Sequence, residues 1–188
     1  KICADSSASD RWETIDGGGM VTAGAGGSIT GRGADFLILD DLIKNSEQAS
    51  SFTHQEKVWD WYTGTAYTRL EPGGKIVVMN TRWDLRDISG RMLSPDYSDE
   101  TEIDRWEVIR IPAIAGPDDP LGRSVGEALW PGRYDIDALD AIRRQVGSYW
   151  FDAQYQQEPK AKKEALVYPE FNIDKHIKEP PADTQFTG

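Results

Sequence analysis

Two short apolar runs flank one amphipathic stretch near the middle of the chain. The first is Phe36-Leu37-Ile38-Leu39, bounded by Asp35 and by Asp40-Asp41; the second opens at Lys75-Ile76-Val77-Val78-Met79 and leads into Asn80-Thr81-Arg82-Trp83. Unbroken apolar runs of this length predict buried strands at residues 36–39 and 75–80. Between them, Val58, Trp61, Tyr62, Thr65 and Arg69 fall at helical spacing, and Thr53-His54-Gln55-Glu56 matches a capping box with Thr53 as N-cap. The helix is predicted to run to about residue 70, where Glu71-Pro72-Gly73-Gly74 stops it. A strand–helix–strand unit gives a parallel pair with a right-handed crossover, and so an α/β fold.

The rest of the chain is less regular. Residues 1–18 are polar and read as irregular, and Met20-Val21-Thr22-Ala23 as a short strand. Residues 42–52 read as a polar connection, and 86–93 as a short helix. The alternation in Trp106-Glu107-Val108-Ile109-Arg110-Ile111 predicts a third strand. Residues 115–127, with Gly116-Pro117-Asp118-Asp119-Pro120, form a surface loop. Asp135 caps a helix over 136–146, whose apolar face is Ile136, Leu139, Ile142 and Val146. Gly147 ends it, and Ser148 caps another helix reaching about residue 157. Pro159 and Lys160-Ala161-Lys162-Lys163-Glu164 then read as a linker.

Seven tryptophans and 38% hydrophobic residues in 188 support a real core. No apolar run approaches the roughly 20 residues of a membrane span. One cysteine, Cys3, excludes an internal disulfide and fits a reducing compartment. The net charge of −11 argues against a dedicated DNA-binding domain, but not against a nucleotide enzyme that meets phosphate through a metal ion. The first residue is not Met, and Gln185-Phe186-Thr187-Gly188 resembles the entry to another strand. The chain therefore reads as an internal piece of a longer protein.

The chemistry concentrates at one sheet edge. Ligands of open α/β sheets sit at the carboxyl ends of the strands, where Asp40, Asp41 and Thr81 would stand. Adjacent carboxylates repel and strands disfavour Asp, so two together at a strand exit call for a reason. In a nucleotide hydrolase, Asp40 would hold Mg²⁺ through water and Asp41 would orient or deprotonate the attacking water; the alternative is a turn or helix cap. Thr81 at the tip of the neighbouring strand can sense the γ-phosphate or the water, and Arg82 can follow the phosphate charge; the alternative is a strand-end Thr and a surface Arg. Arg32, between Gly31 and Gly33, has the freedom an arginine finger needs, or is simply a flexible-loop residue.

Other features resolve to plainer readings. Residues 26–33 superficially resemble a phosphate-cradling loop, but Arg32 replaces its Lys, Gly33 its hydroxyl residue, and a strand follows instead of a helix. His54 and His176 belong to no metal-ligand pattern. Trp59, Trp61 and Tyr62, and likewise Trp130, Trp150, Phe151 and Tyr155, read as packing. Lys160, Lys162 and Lys163 read as a solvated linker rather than a phosphate contact.

Taken together and in order, a set of segments resembles the large terminase subunit of tailed bacteriophages and prophages. They are Ser28-Ile29-Thr30-Gly31-Arg32-Gly33-Ala34-Asp35, Leu37-Ile38-Leu39-Asp40-Asp41, Lys57-Val58-Trp59-Asp60-Trp61-Tyr62, Tyr67-Thr68-Arg69-Leu70-Glu71-Pro72-Gly73-Gly74 and Asn80-Thr81-Arg82-Trp83. Ile111-Pro112-Ala113-Ile114, Gly126-Glu127-Ala128-Leu129-Trp130-Pro131 and Tyr155-Gln156-Gln157-Glu158-Pro159 extend the similarity over roughly residues 19–172.

The resemblance implies a DNA-packaging motor. Its ATPase has an additional-strand, RecA-like P-loop sheet and a small helical lid, and is followed by an RNase H-like nuclease. It makes 37–41 the Walker B strand, Asp40 the Mg²⁺-coordinating acid and Asp41 the catalytic carboxylate, which is often Glu in that family. It places Thr81 in the coupling motif and makes Arg32 a candidate trans-acting finger. The implied domains are 1–100 for the second half of the ATPase core, 101–158 for the lid and 159–188 for a linker toward the nuclease. The implied cofactors are ATP and Mg²⁺. The implied partners are double-stranded DNA, the portal protein, the small terminase subunit and further copies in a ring, in the host cytoplasm. Walker A would lie upstream of residue 1 and the nuclease acids downstream of residue 188. The isolated chain is therefore expected to be inactive as an ATPase or endonuclease, and its strands to lack a sheet neighbour. The rival readings are a helicase-like motor, a non-catalytic assembly module from a defective prophage, and a metal nuclease using Asp35, Asp40 and Asp41, the last opposed by Asp35 and Asp41 lying at opposite ends of one strand.

Overall fold

A computed structural model describes residues 2–8, 10–29, 31, 33–103 and 105–161. It is mixed α/β, with two small sheets. β4 (Ala34–Asp40) and β5 (Leu70–Met79) pair in parallel, Phe36 opposite Lys75 and Asp40 opposite Met79. The predicted strand–helix–strand unit is thus present. Pro72, Gly73 and Gly74 do not precede the second strand but bulge within it: Ala34 pairs with Leu70, and the next pair, Phe36 with Lys75, lies beyond them. Pro offers no ladder N–H, so the register can slip there.

The sheet has one covered and one open face. Leu39 is 2% exposed and packs with Tyr62, Ala66, Ile88 and Met92, with Leu37 and Val78 beside them. On the other face Phe36, Ile38, Val77 and Met79 are exposed, Phe36 by 66%. The expectation of fully buried strands is therefore corrected. A continuous apolar run suits helices on both faces, and among the described residues they cover only one.

The connection between the strands holds two helices, not a coil followed by one helix. α1 (Ser46–Ser50) is capped by Asn45, whose side chain accepts the Gln48 N–H at 3.0 Å. α2 (Phe52–Trp61) starts one cap earlier than predicted: Ser51, not Thr53, accepts the His54 N–H at 3.2 Å. Glu56, which would have completed the capping box, pairs instead with Arg91. The helical path then continues as a wide turn over Tyr62–Ala66 and a tight one over Tyr67–Arg69, reaching the predicted end by looser geometry. After β5 come α3 (Ile88–Met92), as predicted, and the unpredicted α4 (Glu100–Ile103).

The described residues of 1–18 are not irregular. β1 (Ile2–Ala8), β2 (Arg11–Thr14) and β3 (Gly19–Val21) form an antiparallel sheet in that order. Small polar residues mask β1, but Asp16-Gly17 after Trp12-Glu13-Thr14 is the turn signal that marks the β2–β3 hairpin. Conversely, residues 106–111 form no strand. Alternation licenses a strand only where a partner edge is at hand, and none pairs with it among the described residues. Val108 and Ile109 remain exposed and, with Val77 and Met79 of β5, are among the residues lining a groove of about 1090 Å³.

A second apolar cluster, Ala128, Leu139 and Phe151, organises the C-terminal described region. α5 (Ile136–Val146) is capped by Asp135, which accepts the Ala138 N–H at 2.8 Å. It ends at Gly147, whose φ of 82° suits glycine. α6 (Ser148–Gln154) follows directly; Gly147, not Ser148, occupies its cap position, and it stops short of residue 157. Residues 115–127 form the predicted loop, tied down by Arg123. Its guanidinium reaches the Pro112 carbonyl at 2.8 Å and holds the Asp119 carboxyl below the usual carboxylate range through a direct hydrogen bond. The predicted linker beyond Ala161 lies outside the described residues.

Candidate functional site

The parallel register brings the two strand ends level. Asp40 pairs with Met79, and the Asp41 N–H donates to the Met79 carbonyl at 2.9 Å, carrying the ladder one step past β4. Asp41 then turns out of the strand at φ 46°, a left-handed conformation that Asp tolerates better than most residues and that recurs at functional sites. The turn brings its Oδ1 to 3.2 Å from the Thr81 N–H, which donates to it across forty residues of sequence. Asp40, Asp41 and Thr81 thus gather at one carboxyl edge, all exposed to solvent.

Arg82 behaves differently from a free phosphate follower. Its Nε donates to both oxygens of Asp87, at 2.8 and 3.1 Å, and its side chain is only 14% exposed. Asp87 itself is 1% exposed. It also accepts the Trp83 N–H at 3.2 Å and caps α3 by accepting the Gly90 N–H at 2.9 Å. Asn80, next to Thr81, accepts the Ser89 hydroxyl and donates to the Thr81 carbonyl at 3.2 Å. Sequence reading missed Asp87, Asn80 and Ser89. Its one available signal was an Asp directly before an apolar-rich short helix, which marks an N-cap.

Arg32 lies outside the described residues, as do His176, Lys162 and Lys163. Asp35 stands near the start of β4 and Asp41 just beyond its end, which at about 3.3 Å per strand residue separates them by roughly 20 Å, too far for one metal ion. Trp59, Trp61 and Tyr62 pack as predicted, on or within the first cluster. Trp130 does not: it is 60% exposed, with the Arg133 guanidinium 5.4 Å from its ring centroid. Trp150 meets Trp83 edge-on at 5.8 Å and so links α6 to the strand-end loop. Lys160 pairs with Asp152 at 2.8 Å.

The oxygen-only donor set at this edge fits a hard divalent cation better than a soft one. Among the described residues no group of three or more His, Cys, Asp or Glu side chains is arranged to hold a metal ion, which leaves Asp40 and Asp41 as a partial shell. Mg²⁺ suits such a shell, because it keeps several waters and needs only one or two carboxylates besides phosphate oxygens. Asp41 accepts one N–H through Oδ1, and an ionised carboxylate has further lone pairs for a water molecule. No protein-family model matches the chain, and a comparison with curated proteins found no match.

Proposed function

We propose that this chain is the second half of the motor ATPase of a phage or prophage terminase large subunit, with ATP hydrolysis driving double-stranded DNA into a capsid. The observation that carries the reading is the contact from the Thr81 N–H to Asp41 Oδ1 at the shared carboxyl edge of a parallel strand pair. The Asp-Asp element and the Thr-Arg-Trp element, forty residues apart, meet as that family's Walker B and coupling motifs would. The open groove beside β5 adds support, since a RecA-like sheet would need room there for a strand bearing the phosphate loop. The first apolar cluster lies within residues 1–100 apart from Trp106, and the second lies within 113–155, which fits an ATPase core over 1–100 and a lid over 101–158.

In this reading Asp40 helps hold Mg²⁺ through water, and Asp41 orients the attacking water and takes its proton. Bound Mg²⁺ would offset negative charge on the phosphates. Thr81, hydrogen-bonded to the Asp41 carboxylate, registers its state and passes a change along the strand-end loop. Arg32 serves as a trans-acting finger on a neighbouring copy in a ring on the portal protein. The small terminase subunit and a nuclease domain complete the machine in the host cytoplasm. Among the described residues no helix is long and apolar enough to cross a membrane.

The test is Asp41→Asn in the full-length protein. Asn keeps the shape and tolerates the positive φ, but cannot act as the base. DNA-stimulated turnover should fall by about a thousandfold, the middle of the range of a general base's contribution, while nucleotide binding stays. Turnover at the wild-type rate would sink the assignment.

A further inference from the structure

We propose that Asp87 is a positioning residue that, through Arg82 and Trp83, fixes the Thr81 segment against Asp41, an inference that rests on the motor reading above. Asp87 makes four hydrogen bonds with three donor groups, from Arg82 Nε, Trp83 N and Gly90 N, at 2.8–3.2 Å. An N-cap needs only the last of these, and Ser, Thr or Asn would supply it. Burying a carboxylate is unfavourable unless it is paired and hydrogen-bonded, so a fully buried Asp capping a helix of five residues is more than the helix requires. What it adds is the grip on Arg82 and Trp83.

That grip is reinforced nearby. A Cβ on Gly90 would stand 1.9 Å from the Leu85 carbonyl oxygen and 3.2 Å from Arg82 Nη2, so the loop after β5 wraps tightly over the first turn of α3. Ser89, one residue earlier, donates to Asn80. Asp87 and Ser89 together tie residues 80–83 to α3, and Thr81 within that segment donates to Asp41. Asp87 touches neither Asp40 nor Asp41 and acts only through the segment it holds. Small misplacements of a reacting group can cost large factors in rate, which is why such a support matters.

Two variants of the full-length protein test this. Asp87→Ser retains a cap for the Gly90 N–H but is too short to reach Arg82; Asp87→Asn keeps the shape and removes the charge. Each should lower kcat for ATP by about ten- to a hundredfold, the usual cost of losing an outer-sphere support, with KM unchanged. The Arg82→Ala/Asp87→Ser double variant should lose less than the product of the two single losses, since residues acting through one another are non-additive. Wild-type kcat, or losses that multiply in the double variant, would overturn the proposal. Amide hydrogen exchange supplies a readout free of activity: residues 80–83 should exchange faster in Asp87→Ser while 88–92 do not. Unchanged exchange at 80–83 overturns the positioning role. Absence of turnover in the wild type, with that exchange pattern present, instead overturns the motor reading and leaves the hold on residues 80–83 standing. If Asp87→Ser fails to fold, Asp87→Asn carries the same comparisons.

Discussion

The strand-end loop and the α5–α6 region are held together by different forces. Around Thr81 the order comes from polar contacts: a carboxylate capping a helix and gripping an arginine, an amide on a hydroxyl, a backbone N–H on Asp41. Around Phe151 it comes from apolar burial, with Leu139 and Ala128 in one cluster and stacking of Phe151 on Tyr155 at 5.0 Å. Polar networks depend on geometry and little on area; apolar clusters depend on area and tolerate small shifts. A substitution at the strand edge should therefore be read mainly in rate, and one in the helical pair mainly in stability.

The largest effects should show this division. Asp41→Asn should remove nearly all turnover and leave the thermal midpoint close to wild type, because Asp41 is exposed. Phe151→Ala should do the reverse. Phe151 is 0% exposed and carries the Arg143 guanidinium 4.3 Å from its ring centroid. Truncating a buried Phe to Ala costs about 3–5 kcal/mol, which urea unfolding would detect. Below the new midpoint, kcat should stay near wild type. A stable Phe151→Ala protein, or one that folds but turns over a hundredfold more slowly, would break the comparison.

Asp135→Ala probes the same region with a smaller effect. It removes the acceptor of the Ala138 N–H at the start of α5, a loss of about 1 kcal/mol for a typical N-cap. Asp135→Asn should restore most of it, because Asn caps equally well. If neither variant moves the urea midpoint, α5 is held by its apolar face alone.

What was legible in the sequence follows the same division. The two apolar runs, the Asp135 and Gly147 punctuation and the gathering of Asp40, Asp41 and Thr81 were readable because each depends on local pattern or on strand direction. The strand β1 was hidden, since most of its residues are small and polar, and the Asp16-Gly17 turn marks only the following hairpin of β2 and β3. The open face holding Phe36 and Val77 was unreadable, because an apolar run says that a strand can be covered and not whether a layer covers it. The Arg82–Asp87 pair was also out of reach. Its partner choice depends on how α3 docks, and Glu56 illustrates the same point by leaving the predicted capping box for Arg91.

The last effect is absent at neutral pH, appears only at high pH, and tests the apolar layer beneath the strand edge. Burial, then the neighbouring Tyr67 phenol and the Glu102 carboxylate, push the Tyr62 phenol up to about 12 from an ordinary 10.0. Tyr62 is 6% exposed in the cluster with Leu39 and Ala66. The folded-state pKa is raised, so the unfolded chain loses this proton first. The stabilisation is fully present below pH 10 and is lost as the pH rises toward 12. The other tyrosines and the lysines titrate over the same range, so the readout is a difference. Urea midpoints of the wild type and Tyr62→Phe should run parallel up to pH 10 and then diverge, the wild type falling faster. Midpoints that stay parallel to pH 12 would mean that the Tyr62 phenol meets solvent, and that the layer under β4 and β5 is as open as the face above it.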